Sequence, residues 1–360
     1  MSLETYILDI IEGKRKAPGF ARLLSFAALG FRSLIACRNK LYDKKICKSH
    51  PVEACVVSIG NIVSGGTGKT PLIHLLAKTL GSTEKVAIVT RGFRSGIEKL
   101  GKSVEISKGS GPIMNVEECG DEPYWLALYT SASIWVGSDK LQSAKNAVEN
   151  GSNILLIDDG MQHRRLHRDV EIVLLDGADP WGKGAFLPRG LLRDSPKRLS
   201  IADLIVVTNI DSKGFDELKK QIASYSKSPV VRMQRNYSLS GVAVDKVGVF
   251  CGIAKPHHFA SAVISLGKTI VDSLFSLDHM IPSMPALQSF AFTCKEKGAS
   301  ALVCTEKDFV KLPKDLSLSL PIAVLKMDIE IADGKEDWKK CIEKIQLKGK
   351  TFSKSSRNEK

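Results

Sequence analysis

Short apolar runs alternate with helical patterns along most of this chain, and that alternation predicts an α/β fold. Residues 55–59, 86–90, 133–136, 153–157, 171–175, 203–208 and 230–233 are rich in Val, Ile and Leu and bounded by Gly, Asp or Ser. Strands that are apolar without a polar alternation belong to a parallel sheet covered on both faces. A second set, 247–251, 299–305 and 322–325, has helical stretches between its members and predicts a second, smaller α/β domain. The polar interval 211–228 reads as helix plus loop, and 236–240 as the hinge between domains. No internal repeat occurs. Ahead of the first strand, residues 18–41 are helical in pattern and rich in Phe, Leu, Ile and Ala, with Arg22 and Arg32 interrupting them. They lack the run of about 18 uncharged apolar residues that a spanning helix needs. They also lack the cleavage site of a signal peptide. Two placements remain open, a helix lying in a membrane interface and a helix packed on the core. The expected division is an interfacial helix region over 1–45, an α/β domain over 46–238, a smaller one over 239–345 and a disordered basic tail over 346–360.

Charge changes the picture mainly at the ends. The 360 residues carry a net charge of +13. Residues 1–50 hold ten Lys or Arg against four acids, and 348–360 hold five against one. Basic ends suit anionic membrane surfaces or nucleic acid, but no aromatic-interleaved basic patch or nucleic-acid motif accompanies them. Eight cysteines are scattered with no C-x-x-C pair, several inside apolar strand-like runs. They read as reduced core residues rather than as disulfides or a zinc site.

The strand at 55–59 leads into Val63, Ser64, Gly65, Gly66, Thr67, Gly68, Lys69 and Thr70, and a helical pattern follows through Leu72, Leu75, Leu76 and Leu80. Strand, glycine turn, Gly-Lys-Thr and helix is the phosphate-binding P-loop in its required context. Glycines let backbone N–H groups close around a polyphosphate, and the helix N-terminus adds positive dipole. Lys69 is placed to reach the β- and γ-phosphates and Thr70 to hold Mg²⁺. One departure is Val63 where the first glycine of the motif is expected.

Four further clusters carry possible chemistry. Residues 153–157 form an apolar strand that ends in Asp158 and Asp159, the kind of acid a P-loop fold uses to organise Mg²⁺. If the strand continues, these two acids face opposite ways; a plain strand-end turn is the alternative. Gly120-Asp121-Glu122-Pro123 is either functional or the start of a helix over 124–129. His279, in Asp278-His279, is equally compatible with a structural role. Thr305-Glu306-Lys307-Asp308 ends a strand, either as a charged turn or as a nucleotide contact.

Taken together, SGGTGKTP (64–71), TRGF (90–93), GDEP (120–123), DDGMQH (158–163), LPRGLLR (187–193), FCGIAKPHHF (250–259), LDH (277–279) and TEKDFVKL (305–312) resemble the tetraacyldisaccharide 4'-kinase family. The resemblance runs through nearly the whole chain. It implies ATP-dependent phosphorylation of a lipid A precursor at the cytoplasmic face of the bacterial inner membrane, by two α/β domains meeting at a cleft with an N-terminal helix on the membrane. It implies that residues 63–70 hold ATP and Mg²⁺, with Asp158 and Asp159 serving the metal and Thr305, Glu306 and Lys307 touching the nucleotide. Asp121 would be the general base on the sugar 4'-hydroxyl, with His279 as its partner. Arg91, Phe93, Lys140, Gln162, His163 and Arg193 would line the lipid headgroup site. Lys140 stands where Arg is expected and Met161 where an aromatic is commoner. The expected partners are the lipid A precursor and an anionic membrane surface, not nucleic acid, and the expected state is a monomer.

The alternative is a P-loop GTPase or metallochaperone, which predicts guanine selectivity and a metal-binding Cys motif; the motif is absent. A soluble kinase or ligase acting on a small acidic substrate leaves 18–41 unexplained.

Overall fold

A computed structural model describes residues 3–15, 17–93, 95–240, 245–253, 256–276, 280–313 and 316–358. In chain order the strands are β1 (Cys55–Asn61), β2 (Val86–Thr90), β3 (Val104–Lys108), β4 (Ser133–Val136), β5 (Ile154–Asp158), β6 (Val170–Asp176), β7 (Leu204–Thr208), β8 (Val230–Ser240), β9 (Lys246–Cys251), β10 (Thr269–Phe275), β11 (Ala301–Thr305) and β12 (Ile322–Asp333). The helices are α1 (Leu3–Ile11), α2 (Pro18–Asp43), α3 (Lys69–Leu80), α4 (Gly96–Leu100), α5 (Val116–Cys119), α6 (Asp121–Tyr129), α7 (Lys140–Glu149), α8 (Ser212–Ile222), α9 (Pro256–Ser265), α10 (Met284–Glu296), α11 (Glu306–Phe309) and α12 (Lys335–Asn358).

The chain forms two compact units. The first comprises Met1–Ile113, Leu126–Gln234 and Glu330–Lys360, and the second Met114–Trp125 and Arg235–Ile329. Neither is contiguous in sequence, unlike the expected 46–238 and 239–345.

In the first unit the strand order runs β8-β7-β6-β1-β5-β2-β4-β3. Every pairing from β8 to β4 is parallel, and β3 closes the edge antiparallel to β4. β1 and β6 are buried along their full length, because helices cover both faces. On one side Val173, Leu175, Ile205 and Val207 pack against Phe215, Leu218 and Ile222 of α8. On the other, Val89, Leu155 and Ile157 pack with Leu141, Ala144 and Ala147 of α7. The second unit orders β10-β9-β11-β12, all parallel. Phe259, Ala262 and Val263 of α9 cover one face and Leu287, Phe290 and Cys294 of α10 the other. The doubly covered parallel architecture is the one the apolar runs predict.

Four segments differ from expectation. Residues 236–240, expected as a hinge, continue strand β8. β3 and β10 were not marked by an apolar run. Residues 346–358, expected as a disordered tail, continue α12. That helix buries Cys341, Ile342 and Ile345. Farther along, Asn153 Nδ2 donates to Gly349 O (3.3 Å) and Ser353 Oγ (2.7 Å), and Lys348 pairs with Asp169 at 3.1 Å. Packing and hydrogen bonds thus order a segment whose composition alone is that of a solvated tail.

α2 is the one helix, among the described residues, long and apolar enough to cross a membrane by length and composition. It buries only Leu24, Ala28 and Asn39. Leu23, Phe26, Leu29 and Leu34 are exposed, Phe26 to 76%. At about 100° per residue, this exposed apolar arc lies roughly opposite the buried one. One face of the helix thus docks on the protein, and the other is apolar and open.

Candidate active site

β1 delivers the chain to the glycine turn, and α3 leaves it with Lys69 as its first residue. Gly68, at φ 93°, caps that helix in the left-handed region that favours glycine. Just before the turn, Gly60 lies so close to the Met161 backbone and side chain that a Cβ there would clash. The sequence pattern therefore reports close packing as well as phosphate-binding geometry. Asn61, at the end of β1, donates to Thr67 Oγ1 at 3.2 Å and accepts from Lys69 Nζ at 3.3 Å. Thr208, at the end of β7, donates to Thr67 O at 3.1 Å. Asn61 did not stand out in the sequence; the signal of both residues is position, at the C-terminal ends of strands next to the turn, where α/β sheets bind ligands.

β5 ends at Asp158, and Asp159 then turns at φ 48°, a left-handed conformation uncommon for a non-glycine residue. The two acids part company through that turn rather than through strand alternation. Asp158 Oδ2 accepts from Thr90 Oγ1 at 3.0 Å. Asp159 accepts from both terminal nitrogens of Arg193, at 3.1 and 2.7 Å, and lies 3.6 Å from Lys69 Nζ. Burial pushes the Asp159 carboxyl up, but the Lys69 charge, the Arg193 hydrogen bonds and charge, and Lys140 outweigh it and hold the group at about 2. A forked arginine bond is the strong form of such a contact.

Lys140 is buried to 6% exposure. Its ammonium donates to the main-chain oxygens of Asp158 and Asp159, the latter at 3.0 Å. Burial pushes its pKa down while both aspartates push it up. It braces the acidic turn from beneath, which differs from the headgroup position expected of it. Gln162 Nε2 donates to Asn61 O at 2.9 Å, leaving its buried Oε1 without a protein partner among the described residues. His163 Nε2 is buried and unpartnered in the same way, and burial with the nearby Lys140 charge pushes its pKa down. Arg91 pairs with Glu98 at 2.6 Å, and Phe93 is exposed. Lys69, Asp158, Asp159, Gln162, His163, Lys140 and Arg193 are thus brought together; Arg91 and Phe93 stand on the loop after β2, outside this hydrogen-bonded group.

The second unit holds its own acidic cluster. Asp121 and Glu122 occupy the first turn of α6, where acids complement the helix dipole. Pro123 follows at a position that needs no N–H partner. Lys311 lies 2.8 Å from Asp121, and Lys307 lies 2.5 Å from Glu122. Thr305 caps α11, accepting from Asp308 N and donating to Asp308 Oδ2 at 2.6 Å. Asp308 also accepts from Gly252 N, and burial pushes its pKa up. Burial also raises the Glu306 carboxyl. His279 lies outside the described residues.

Residues 20–346 match the family model for tetraacyldisaccharide-1-P 4'-kinase. The chain belongs to this family. It is 34% identical to the tetraacyldisaccharide 4'-kinase of Syntrophus aciditrophicus, over 89% of this chain and 92% of that one. It is 31% identical to the Halothermothrix orenii enzyme of the same name, over 87% and 89%. The crystal structure of LpxK from Aquifex aeolicus in complex with ATP superposes with a TM-score of 0.73 at 26% identity, covering 91% of this chain and 99% of that one. Membership makes the chain a 4'-kinase of the tetraacyldisaccharide class.

Proposed function

We propose that the protein transfers the γ-phosphoryl group of ATP to the 4'-hydroxyl of the tetraacyl disaccharide-1-phosphate precursor of lipid A, working as a monomer at the cytoplasmic face of the inner membrane. The observation that carries this assignment is the convergence of Lys69 and Arg193 on Asp159 beside the glycine turn. Phosphoryl transfer needs positioning and charge neutralisation more than covalent chemistry, and two cations with an ionised acid at a helix N-terminus supply both.

The turn residues Val63 to Thr70 hold the triphosphate, with Lys69 neutralising charge as it develops. Thr305, Glu306 and Lys307 are assigned to the nucleotide. Thr70, Asp158 and Asp159 offer hard oxygen donors of the kind Mg²⁺ takes, and one or two carboxylates plus substrate phosphates are its usual set. Mg²⁺ held by these residues would supply charge neutralisation to the phosphates. Gln162 and His163 present buried polar atoms without protein partners among the described residues, which suits contact with a polar headgroup, and Arg91 and Phe93 extend that assignment. Asp121, aided by His279, takes the proton of the 4'-hydroxyl as its oxygen bonds to the γ-phosphorus; the bond to the β-γ bridging oxygen breaks and ADP leaves. The exposed arc of α2 seats the protein on the bilayer.

The test is transfer of ³²P from ATP to detergent-dispersed tetraacyl disaccharide-1-phosphate, with and without Mg²⁺. A labelled bisphosphate formed only with Mg²⁺, and lost in folded Lys69→Ala, is expected. Equal or better use of GTP, or no labelled lipid, overturns the assignment.

A further inference from the structure

Asp194 is 2% exposed, and its carboxylate is bonded on every side the structure shows. It accepts twice from Asn39 Nδ2, at 3.0 and 3.2 Å, and once from Ser195 N at 2.8 Å, with the Arg38 guanidinium at 3.7 Å. Asn39 belongs to α2, where the other buried residues, Leu24 and Ala28, are apolar. Its carbonyl accepts from Arg164 at 2.9 Å. Apolar side chains would suffice to hold a helix against a protein surface. A buried amide–carboxylate joint is costly unless every group is paired, and in return it admits one geometry.

On the other side of this joint lies the phosphate machinery. The stretch 191–194 runs alongside the residues that lead from β1 into the glycine turn. Ser64 N donates to Leu191 O at 2.7 Å, and Arg193 N and Asp194 N both donate to Ile62 O, at 2.8 and 3.2 Å. Val63 and Leu192 form an antiparallel bridge. The chain bends at residues 193 and 194, whose successive N–H groups share the one Ile62 acceptor while their side chains diverge. Arg193 reaches Asp159, and Asp194 reaches α2.

We propose that Asn39 and Asp194 form a positioning latch, through which the seated N-terminal helix sets the Arg193–Asp159 clamp and the entry to the glycine turn. α2 is then part of the catalytic geometry as well as an anchor. A tilt of the helix displaces residue 194, and residue 193 moves with it. The latch rests on the assignment of Asp159 to the metal and phosphate region. Its distinguishing property is that it separates membrane attachment from catalytic competence.

The test uses the full chain on vesicles of phosphatidylethanolamine and phosphatidylglycerol, measuring co-sedimentation, kcat and the Mg²⁺ concentration for half-maximal rate. Asn39→Ala is expected to co-sediment as the wild type does, to lose roughly 10- to 100-fold in kcat and to need more Mg²⁺. The exchange Asn39→Asp with Asp194→Asn rebuilds the hydrogen bond with its polarity reversed and is expected to recover most of the rate. Asp43→Ala removes the exposed bridges of the same helix to Arg164 and Arg198 and is expected to change neither quantity. Unchanged kcat and Mg²⁺ requirement in Asn39→Ala overturns the latch, as does an equal loss in Asp43→Ala or a folded exchange variant that recovers nothing. Should Asn39→Ala unfold, Asn39→Ser, which keeps a shorter donor, carries the same comparison. Asp159→Ala separates the two levels: if it leaves the Mg²⁺ requirement unchanged, the assignment of Asp159 fails; if it raises it while Asn39→Ala does not, only the latch fails.

Discussion

Lys311 Nζ lies 2.8 Å from a carboxylate oxygen of Asp121, and beside it Lys307 reaches Glu122 across 185 residues of sequence. Two motifs that look unrelated along the chain, GDEP and TEKDFVKL, form one ion-paired cluster in the second unit. The acid proposed as general base therefore has a fixed cation as well as the histidine assigned to it.

Lys311→Ala is expected to lower kcat and to move the acid limb of the pH–rate profile to higher pH, because a carboxylate that loses an adjacent cation protonates more easily. Lys311→Arg should restore part of both. Asp121→Ala and His279→Ala should each cost about 10²- to 10⁴-fold in kcat, and the double variant should be scarcely worse than the worse single. A pH profile unmoved by Lys311→Ala would confine that lysine to holding α6 in place.

The acidity of Asp159 sets a second expectation. Its carboxyl is held at about 2 in the folded chain, below the value near 3.8 that it takes when unfolded. Its contribution to stability is thus complete above pH about 4 and is lost as the pH falls toward 2. Arg193→Ala should lower stability at pH 7 by on the order of 1 kcal/mol, because the pair is partly solvated, and so lower the melting temperature. The gap between variant and wild type should close as the pH falls below 4. Thermal melts across pH 2 to 7 check this, and a gap that widens in acid would count against it.

The open arc of α2 makes a third. Phe26→Asp with Leu29→Asp should reduce vesicle co-sedimentation at least 10-fold, since each side chain forfeits about 1.5–3 kcal/mol of apolar burial. Because both residues are exposed, the melting temperature in solution should hardly change. Undiminished co-sedimentation would place membrane contact elsewhere.

A fourth concerns the C-terminal helix. Ile345 is fully buried, so Ile345→Ala should cost about 2–4 kcal/mol, measured by denaturant unfolding. Removing 347–360 should also lower the melting temperature, through loss of the bonds from Asn153 to Gly349 and Ser353. A truncated protein as stable as the full chain would mean those contacts contribute nothing.

What the sequence determined by itself is what local chemistry dictates. The phosphate turn is legible because strand, glycines, Lys69 and helix are contiguous, and left-handed backbone at Gly68 needs the residue found there. The parallel sheet is legible because strands buried on both faces leave unbroken apolar runs. Where burial is one-sided or interrupted, the signal fades: β3 is a short edge strand with a register shift, and β10 carries Asp272 at another. The order in residues 346–358 was invisible for a related reason, since few apolar positions among many lysines suffice once Asn153 and Asp169 are there to bind them.

Only the tertiary structure decided which polar groups meet. Arg193 on Asp159, Lys140 beneath the acidic turn, Lys311 on Asp121 and Asn39 on Asp194 all join residues distant in sequence. A carboxylate's partner is whatever cation the chain's path brings within about 3 Å, and that path is set by how strands order themselves in a sheet. Periodicity specifies each strand and its faces; the neighbours it acquires follow from packing the whole sheet at once.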